Sequence, residues 1–271
     1  MTLIVAVLCE GGIVVGADGA ATLGVPGQMT VRQPVRKLSI IEDKIIMGTS
    51  GPVGLGQRLA DEMSAVWRSQ ALLNKSPEAA MAHLRVEFFN KHISVEMQAA
   101  SMARNVIGAA AQASAVTQTV LALPLRKRLC LIQFDHQGAP ELATTDLPFI
   151  AIGSGQPIAD PFLAFLRRVL WRHHCKASDP LPQLGDGITG ALWTLQHAIL
   201  TNPGGVSDPI QVVILRRDGG DYSARELTDA ELAEHKQAIA ALEGKIGDEW
   251  VRLREAPAAG DAPPVPMPND A

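Results

Sequence analysis

Behind the first residue, Met1-Thr2 runs at once into an apolar stretch, residues 3–8. A small second residue suits removal of the methionine, so the mature chain is expected to begin at Thr2. That residue would then carry a hydroxyl and a free α-amine together. An unperturbed α-amine titrates at about 7.7–8.0, close to the pH at which a general base works well. A threonine carrying its own base can act as a nucleophile without a histidine. Many chains begin Met-Thr for unrelated reasons, so the downstream residues decide. Asp18 closes the apolar run 13–17, and Lys37 stands in Arg36-Lys37-Leu38. A hairpin over the first seventeen residues would return Asp18 to the side of Thr2. There a lysine would lower the proton affinity of the hydroxyl and an aspartate would hold the lysine. Singly, Asp18-Gly19 also fits a turn, and Lys37 an exposed strand end; their joint order favours the site.

The elements that must position these residues follow from the pattern. Residues 3–8 and 13–17 are apolar strands around the turn Glu10-Gly11-Gly12, a hairpin signal. Residues 37–41 and 44–48 flank Glu42-Asp43 as a second hairpin, while 23–34 reads as a looser, insertion-like stretch. Near-continuous apolar strands imply that both faces are covered. Leu55, Leu59, Met63 and Val66 recur at helical spacing across 53–73, and Ser76-Pro77-Glu78 starts a second helix running towards 103. Strands are expected at 116–122, 129–134, 142–145, 149–152 and 210–215, with a second helical pair at 157–173 and 187–200. Strands and helices in segregated blocks predict an antiparallel layered α+β fold with helices outside the sheets. A charged helix is expected from the capping box of Thr228 and Glu231 to about 254. The Pro/Ala-rich residues 256–271 are expected to be disordered. The expected division is thus a catalytic-type domain over 1–225, a helical extension over 226–255 and a tail over 256–271.

Composition excludes several classes of function. The 271 residues carry a net charge of −4 and 4% aromatics, neither the electrostatic footprint nor the stacking surface of a nucleic-acid binder. No apolar run reaches the roughly 20 residues that span a bilayer, and residues 3–9 lack the basic flank of a leader. Cys9, Cys130 and Cys175 are far apart and form no CxxC pair, which fits reduced thiols in a cytoplasm. Adjacent residues on a helix diverge, so His173-His174-Cys175 is not expected to bind metal. No cofactor is expected, and no Walker-type phosphate loop is present.

In order along the chain stand the N-terminal Thr strand, Ala17–Thr22 as AD-x-x-x-T, Lys37-Leu38, the turn GTSGPVG at 48–54, Gly153-Ser154-Gly155, and Gly204-Gly205 before a strand ending in Arg216-Arg217-Asp218-Gly219. With these motifs, residues 2–220 resemble the proteasome β-subunit family of N-terminal-nucleophile hydrolases. The resemblance implies a four-layer αββα sandwich with two mainly antiparallel sheets. It implies that Thr2 is the nucleophile, tuned by Asp18 and Lys37, with the Gly51 N–H as oxyanion donor and Ser154 bonded to the α-amine. Thr22 would pair with the substrate backbone, and Thr49 would line the pocket for the residue preceding the cut. It also implies a peptide or unfolded-protein substrate, a homo-oligomeric double ring of six- or seven-membered rings, and a separate ATPase or activator as partner.

The chain departs from the family where an aspartate and a serine usually precede the paired glycines. Here residues 198–203 read Ala-Ile-Leu-Thr-Asn-Pro, leaving Thr201 and Asn202 as possible partners of the amine. Together with the insertion-like stretch and the longer C-terminus, this points to a divergent bacterial homologue. The first reading is a threonine peptidase. An amidohydrolase acting on a small amide, and a catalytically silent ring-forming scaffold, are the alternatives.

Overall fold

The computed structural model describes residues 2–25, 28–107, 116–171, 181–202 and 205–255, with side chains not described at 21–32, 105–107 and 255. It divides into two units, residues 1–228 and 229–271.

The first unit is built on two five-stranded antiparallel sheets. β1 (Ile4–Cys9) and β2 (Gly12–Ala17) form the expected hairpin, pairing Ile4 with Ala17 and Cys9 with Gly12. β10 (Phe149–Ile152) lies on the free side of β1, and β11 (Gln211–Asp218) and β12 (Asp221–Glu226) continue beyond β2. The second sheet runs β5 (Leu38–Ile41), β6 (Ile45–Ser50), β7 (Gln118–Leu125), β8 (Arg128–Phe134) and β9 (Pro140–Leu142).

The period of two in each strand decides what each face touches. Ile4 and Ala6 of β1, with Ile13 and Val15 of β2, pack against Ile46, Val120 and Leu131 of the facing sheet. The alternate residues of the second sheet, Ile45, Met47, Leu121 and Ile132, turn the other way. They meet Leu55, Leu59, Met63 and Val66, the predicted stripe of helix α1 (Val53–Arg68). Helix α2 (Pro77–Arg85) starts as expected, with Ser76 Oγ accepting from the Ala79 N–H at 3.2 Å, and supplies Ala80 and Leu84 to the same core. A π-helical segment (Val86–Ile93) carries the chain into helix α3 (Ser94–Ile107). On the outer face of the first sheet lie helices α4 (Gln156–Leu166) and α5 (Leu184–Thr201). The layers are therefore helix, sheet, sheet, helix, the αββα sandwich that the sequence resemblance implies.

Three details differ from the sequence expectation. The stretch read as loose is a two-stranded sheet, β3 (Ala20–Val25) with β4 (Gln28–Pro34), whose Gly and Pro content hid its pairing. β12, with sequence DYSARE, is a polar edge strand that carries no apolar signal. The strand expected at 142–145 is instead the three-residue β9. The second unit contains helix α6 (Asp229–Glu255), which exposes Ile246, Trp250 and Leu253. Residues 172–175 and 256–271, to which the metal-free His-His-Cys and tail readings apply, lie outside the described residues.

Candidate active site

Thr2 is separated from β1 by Leu3 alone, and Asp18 comes directly after β2, so the hairpin register sets Leu3 and Asp18 side by side. The Asp18 N–H donates to the Leu3 carbonyl at 3.1 Å, and the Leu3 N–H donates to Asp18 Oδ1 at 2.8 Å. Asp18 is fully buried. Its other oxygen, Oδ2, accepts from the N–H groups of Ala20 at 3.2 Å and Ser207 at 3.3 Å. Lys37 Nζ completes the cluster at 2.6 Å from Asp18 Oδ1, with only 7% of its side chain exposed. A buried ammonium and carboxylate are tolerated when they pair and their remaining hydrogen-bonding capacity is met. Here three backbone N–H groups meet that demand for the carboxylate.

Lys37 has a second anchor that the sequence did not disclose. Gln211, at the start of β11, accepts through Oε1 from the N–H groups of Lys37 at 3.3 Å and Leu38 at 3.1 Å. Its Nε2 donates to the Leu38 carbonyl at 3.3 Å. One amide thus fastens the start of β5 to the opposite sheet. The partners are 173 and 174 residues apart, beyond any local pattern.

On the other side of Thr2 lies the turn Gly153-Ser154-Gly155, between β10 and α4. The Thr2 N–H donates to Ser154 Oγ at 3.1 Å, and the Gly155 N–H donates to the Thr2 carbonyl at 3.3 Å. With Met1 in place the Thr2 nitrogen is a peptide nitrogen; it stands where the α-amine would be once Met1 is removed. Gly153 has φ +94°, and a Cβ there would come within 2.2 Å of the Thr2 carbonyl oxygen. Only glycine allows that approach.

Thr2, Lys37, Met47, Thr49 and Gly51 line one cleft of about 320 Å³. Gly51 follows the last residue of β6 with φ +136°, and its N–H makes no hydrogen bond among the described residues. Thr49 lies beneath the first turns of α1, where a Cβ on Gly56 would come 3.3 Å from the Thr49 Cβ. Thr22 is on β3 opposite Arg32, two residues after Ala20 of the cleft wall; its side chain is outside the described ones. The Thr2 N–H bonds Ser154, and no hydrogen bond joins it to Thr201 or Asn202 among the described residues. The Thr201 hydroxyl donates back to the His197 carbonyl of its own helix at 2.8 Å, and Asn202 packs against Gly205. Among the described residues no group of His, Cys, Asp and Glu could hold a metal ion. Burial pushes the Cys130 thiol up to about 11 and the Cys9 thiol higher still, so neither offers a ready thiolate.

Two stacked antiparallel sheets between helical layers, with the N-terminal strand starting from a cleft, define the N-terminal-nucleophile hydrolase fold. The sequence pattern of the family described as "Proteasome subunit" matches residues 2–168. The chain belongs to that family. Its fold is similar to that of Anbu (ancestral beta-subunit) from Yersinia bercovieri, at 16% identity, with a TM-score of 0.65 over 96% of this chain and 100% of that one. It is similar also to a structure of a helical assembly of the Anbu complex from Pseudomonas aeruginosa (19% identity, TM-score 0.62, 96% and 100% coverage). Anbu from Hyphomicrobium sp. strain MC1 gives 18% identity and a TM-score of 0.60, covering 94% of this chain and 100% of that one. No curated protein matches the chain.

Proposed function

We propose that the chain is an N-terminal threonine peptidase of a self-compartmentalised homo-oligomer, with Thr2 as nucleophile once Met1 is removed. The buried Lys37–Asp18 pair, joined through Asp18 to the Leu3 N–H beside Thr2, carries this reading. An ion pair withdrawn from water beside an N-terminal hydroxyl needs a reason, and tuning a nucleophile supplies one.

The chemistry would run as an acyl transfer. The Thr2 hydroxyl oxygen bonds to the scissile carbonyl carbon while its proton passes to the Thr2 α-amine, and the carbonyl π electrons move onto oxygen. The Gly51 N–H stabilises that oxyanion, a contribution of about 3–4 kcal/mol where one such donor is lost. The C–N bond then breaks, the ammonium returns the proton to the departing amine, and an ester on Thr2 remains. Water hydrolyses the ester with the same amine as base. Lys37 lowers the proton affinity of the hydroxyl, Asp18 fixes Lys37, and Ser154 orients the amine. Thr49 and Thr22 would serve the side chain and backbone of a peptide substrate.

The departure at residues 198–203 favours a second reading, a ring-forming chain that does not hydrolyse, because Thr201 is turned back onto His197. A small-amide amidohydrolase would share the nucleophile but not the large assembly. The reading carries with it a cytoplasmic location and a separate ATPase or activator that delivers substrate; among the described residues no helix is long and apolar enough to cross a membrane. Intact mass of the purified protein should show loss of Met1. Thr2→Ala should lower hydrolysis of fluorogenic peptides by at least about a thousandfold with assembly unchanged. Persistent hydrolysis by Thr2→Ala would remove Thr2 as the nucleophile. Retained Met1 together with a silent wild-type protein would favour the scaffold, and a native-mass dimer the amidohydrolase. Electron microscopy distinguishes a closed double ring of six or seven from an open helix, the form named for the P. aeruginosa structure.

A further inference from the structure

Two consecutive residues entering β7, Thr117 and Gln118, take no part in the chemistry above yet are buried polar groups facing the site from behind. Thr117 is 1% exposed and Gln118 7%. The Thr117 hydroxyl donates to the Ser50 carbonyl at 3.1 Å. That carbonyl and the Gly51 N–H belong to one planar peptide unit and point in opposite directions. Fixing the oxygen therefore aims the N–H. Donation to the carbonyl also polarises the unit and strengthens its N–H as a donor. Gly51 has no side chain to set its own orientation, and the backbone of residues 116–117 fills the space behind it: a Cβ there would meet the Val116 carbonyl oxygen at 2.6 Å and the Thr117 Cα at 3.0 Å.

Gln118 does the same for the opposite wall. Its Oε1 accepts from the Gly153 N–H at 3.0 Å, and Gly153 is the residue pressed against the Thr2 carbonyl, next to Ser154. Gln118 is paired with Ser50 across the ladder, so the two anchors are two residues of one strand, set against one peptide each. The site's halves come from the end of β6 and the end of β10, in different sheets; the adjacent residues Thr117 and Gln118 hydrogen-bond one half each and so tie both to a single stretch of backbone.

We infer that Thr117 and Gln118 are positioning residues, Thr117 aiming the Gly51 N–H at the developing oxyanion and Gln118 holding the Gly153-Ser154 turn on the Thr2 amine. This rests on the reading of Thr2 as nucleophile, and the test separates the two. In Thr117→Val, which keeps the volume and loses the donor, kcat should fall about 10–100-fold with KM within about twofold, since an oxyanion donor acts in the transition state. A peptide aldehyde, whose adduct carries the oxyanion, should lose affinity by the same factor, and Thr117→Ser should restore most of the rate. Gln118→Met should lower kcat. Gln118→Glu keeps an acceptor for Gly153 and adds a negative charge near the amine, which raises the amine's pKa; its rate should return only at higher pH, with the acidic, ascending limb of the profile shifted upward. Crystal structures of Thr117→Val and Gln118→Met, with matched melting temperatures, should show the Ser50–Gly51 peptide rotated in the first and the Gly153-Ser154 turn displaced in the second. An unmoved peptide and turn would overturn the inference, as would a Thr117→Val loss seen in KM alone. If the wild-type protein hydrolyses nothing, the peptidase reading fails while the crystal structures still decide the brace.

Discussion

Two carboxylate–ammonium clusters in this protein have similar distances and opposite settings. In the first, Lys37 reaches Asp18 at 2.6 Å with 7% and 0% of the two side chains exposed. In the second, on the outer surface of α1 and the π-helical segment, Lys91 reaches Glu62 at 2.9 Å and also pairs with Glu87, while His92 Nε2 lies 3.1 Å from Glu62. Half of the Lys91 side chain is exposed. The surface cluster is a solvated staple between neighbouring elements, worth about 0–1 kcal/mol per pair. A buried pair carries a desolvation cost that Coulombic attraction offsets only in part, and the three backbone N–H groups on Asp18 help to make this one tolerable. Distance alone does not distinguish the two clusters; burial and the completeness of the hydrogen bonding do.

The largest effect should follow from breaking the buried pair on one side. Asp18→Asn takes the carboxylate charge away from beside the buried Lys37 ammonium, and urea unfolding should show a loss of about 3–5 kcal/mol, with peptide hydrolysis lost as well. A loss under about 1 kcal/mol would place Asp18 with the surface pairs. The comparison sharpens with the double variant Asp18→Asn with Lys37→Met. It removes both charges and keeps an amide oxygen as acceptor for the backbone N–H groups at this position, so part of the stability lost in Asp18→Asn should return while hydrolysis does not. Recovery of both would mean that the pair serves only the fold.

The smallest effect belongs to Glu62→Gln, about 1 kcal/mol or less at neutral pH. Its pH dependence has a definite sign. Hydrogen bonds from Lys91, and then from His92, hold the Glu62 carboxyl down at about 2. A carboxylate whose pKa is lowered on folding contributes stability above its unfolded pKa of about 4.3. That contribution fades as pH falls towards about 2. The melting-temperature gap between wild type and Glu62→Gln should therefore narrow as pH falls below about 4.3. A gap that widens in acid would contradict the assignment.

Much of the layered fold was legible because its signals are local. The two hairpins announce themselves by apolar runs around Gly11-Gly12 and Glu42-Asp43, and α1 by its stripe from Leu55 to Val66. Asp18 and Lys37 were legible as candidates because one ends and the other begins such a run. What stayed hidden was polar or non-local. β12 is a hydrophilic edge strand, β3 and β4 are interrupted by glycine and proline, and nothing in the sequence around Thr117, Gln118 or Gln211 marks them off from other polar residues entering strands.

The sequence by itself determined that Thr2 lies at the head of a buried strand and that Asp18 returns to its side, since the short turn at Glu10-Gly11 fixes the register of the hairpin. It also determined the order of blocks from which the sandwich is assembled. The tertiary structure alone decided which distant residues complete the cleft. Gln211 reaches Lys37 only because β11 pairs with β2, and Gln118 reaches Gly153 only because the ends of β7 and β10 meet across the sandwich. Side-chain periodicity reports the face on which a residue lies. Which residues meet across two stacked sheets is set by strand order and register, which belong to the chain as a whole.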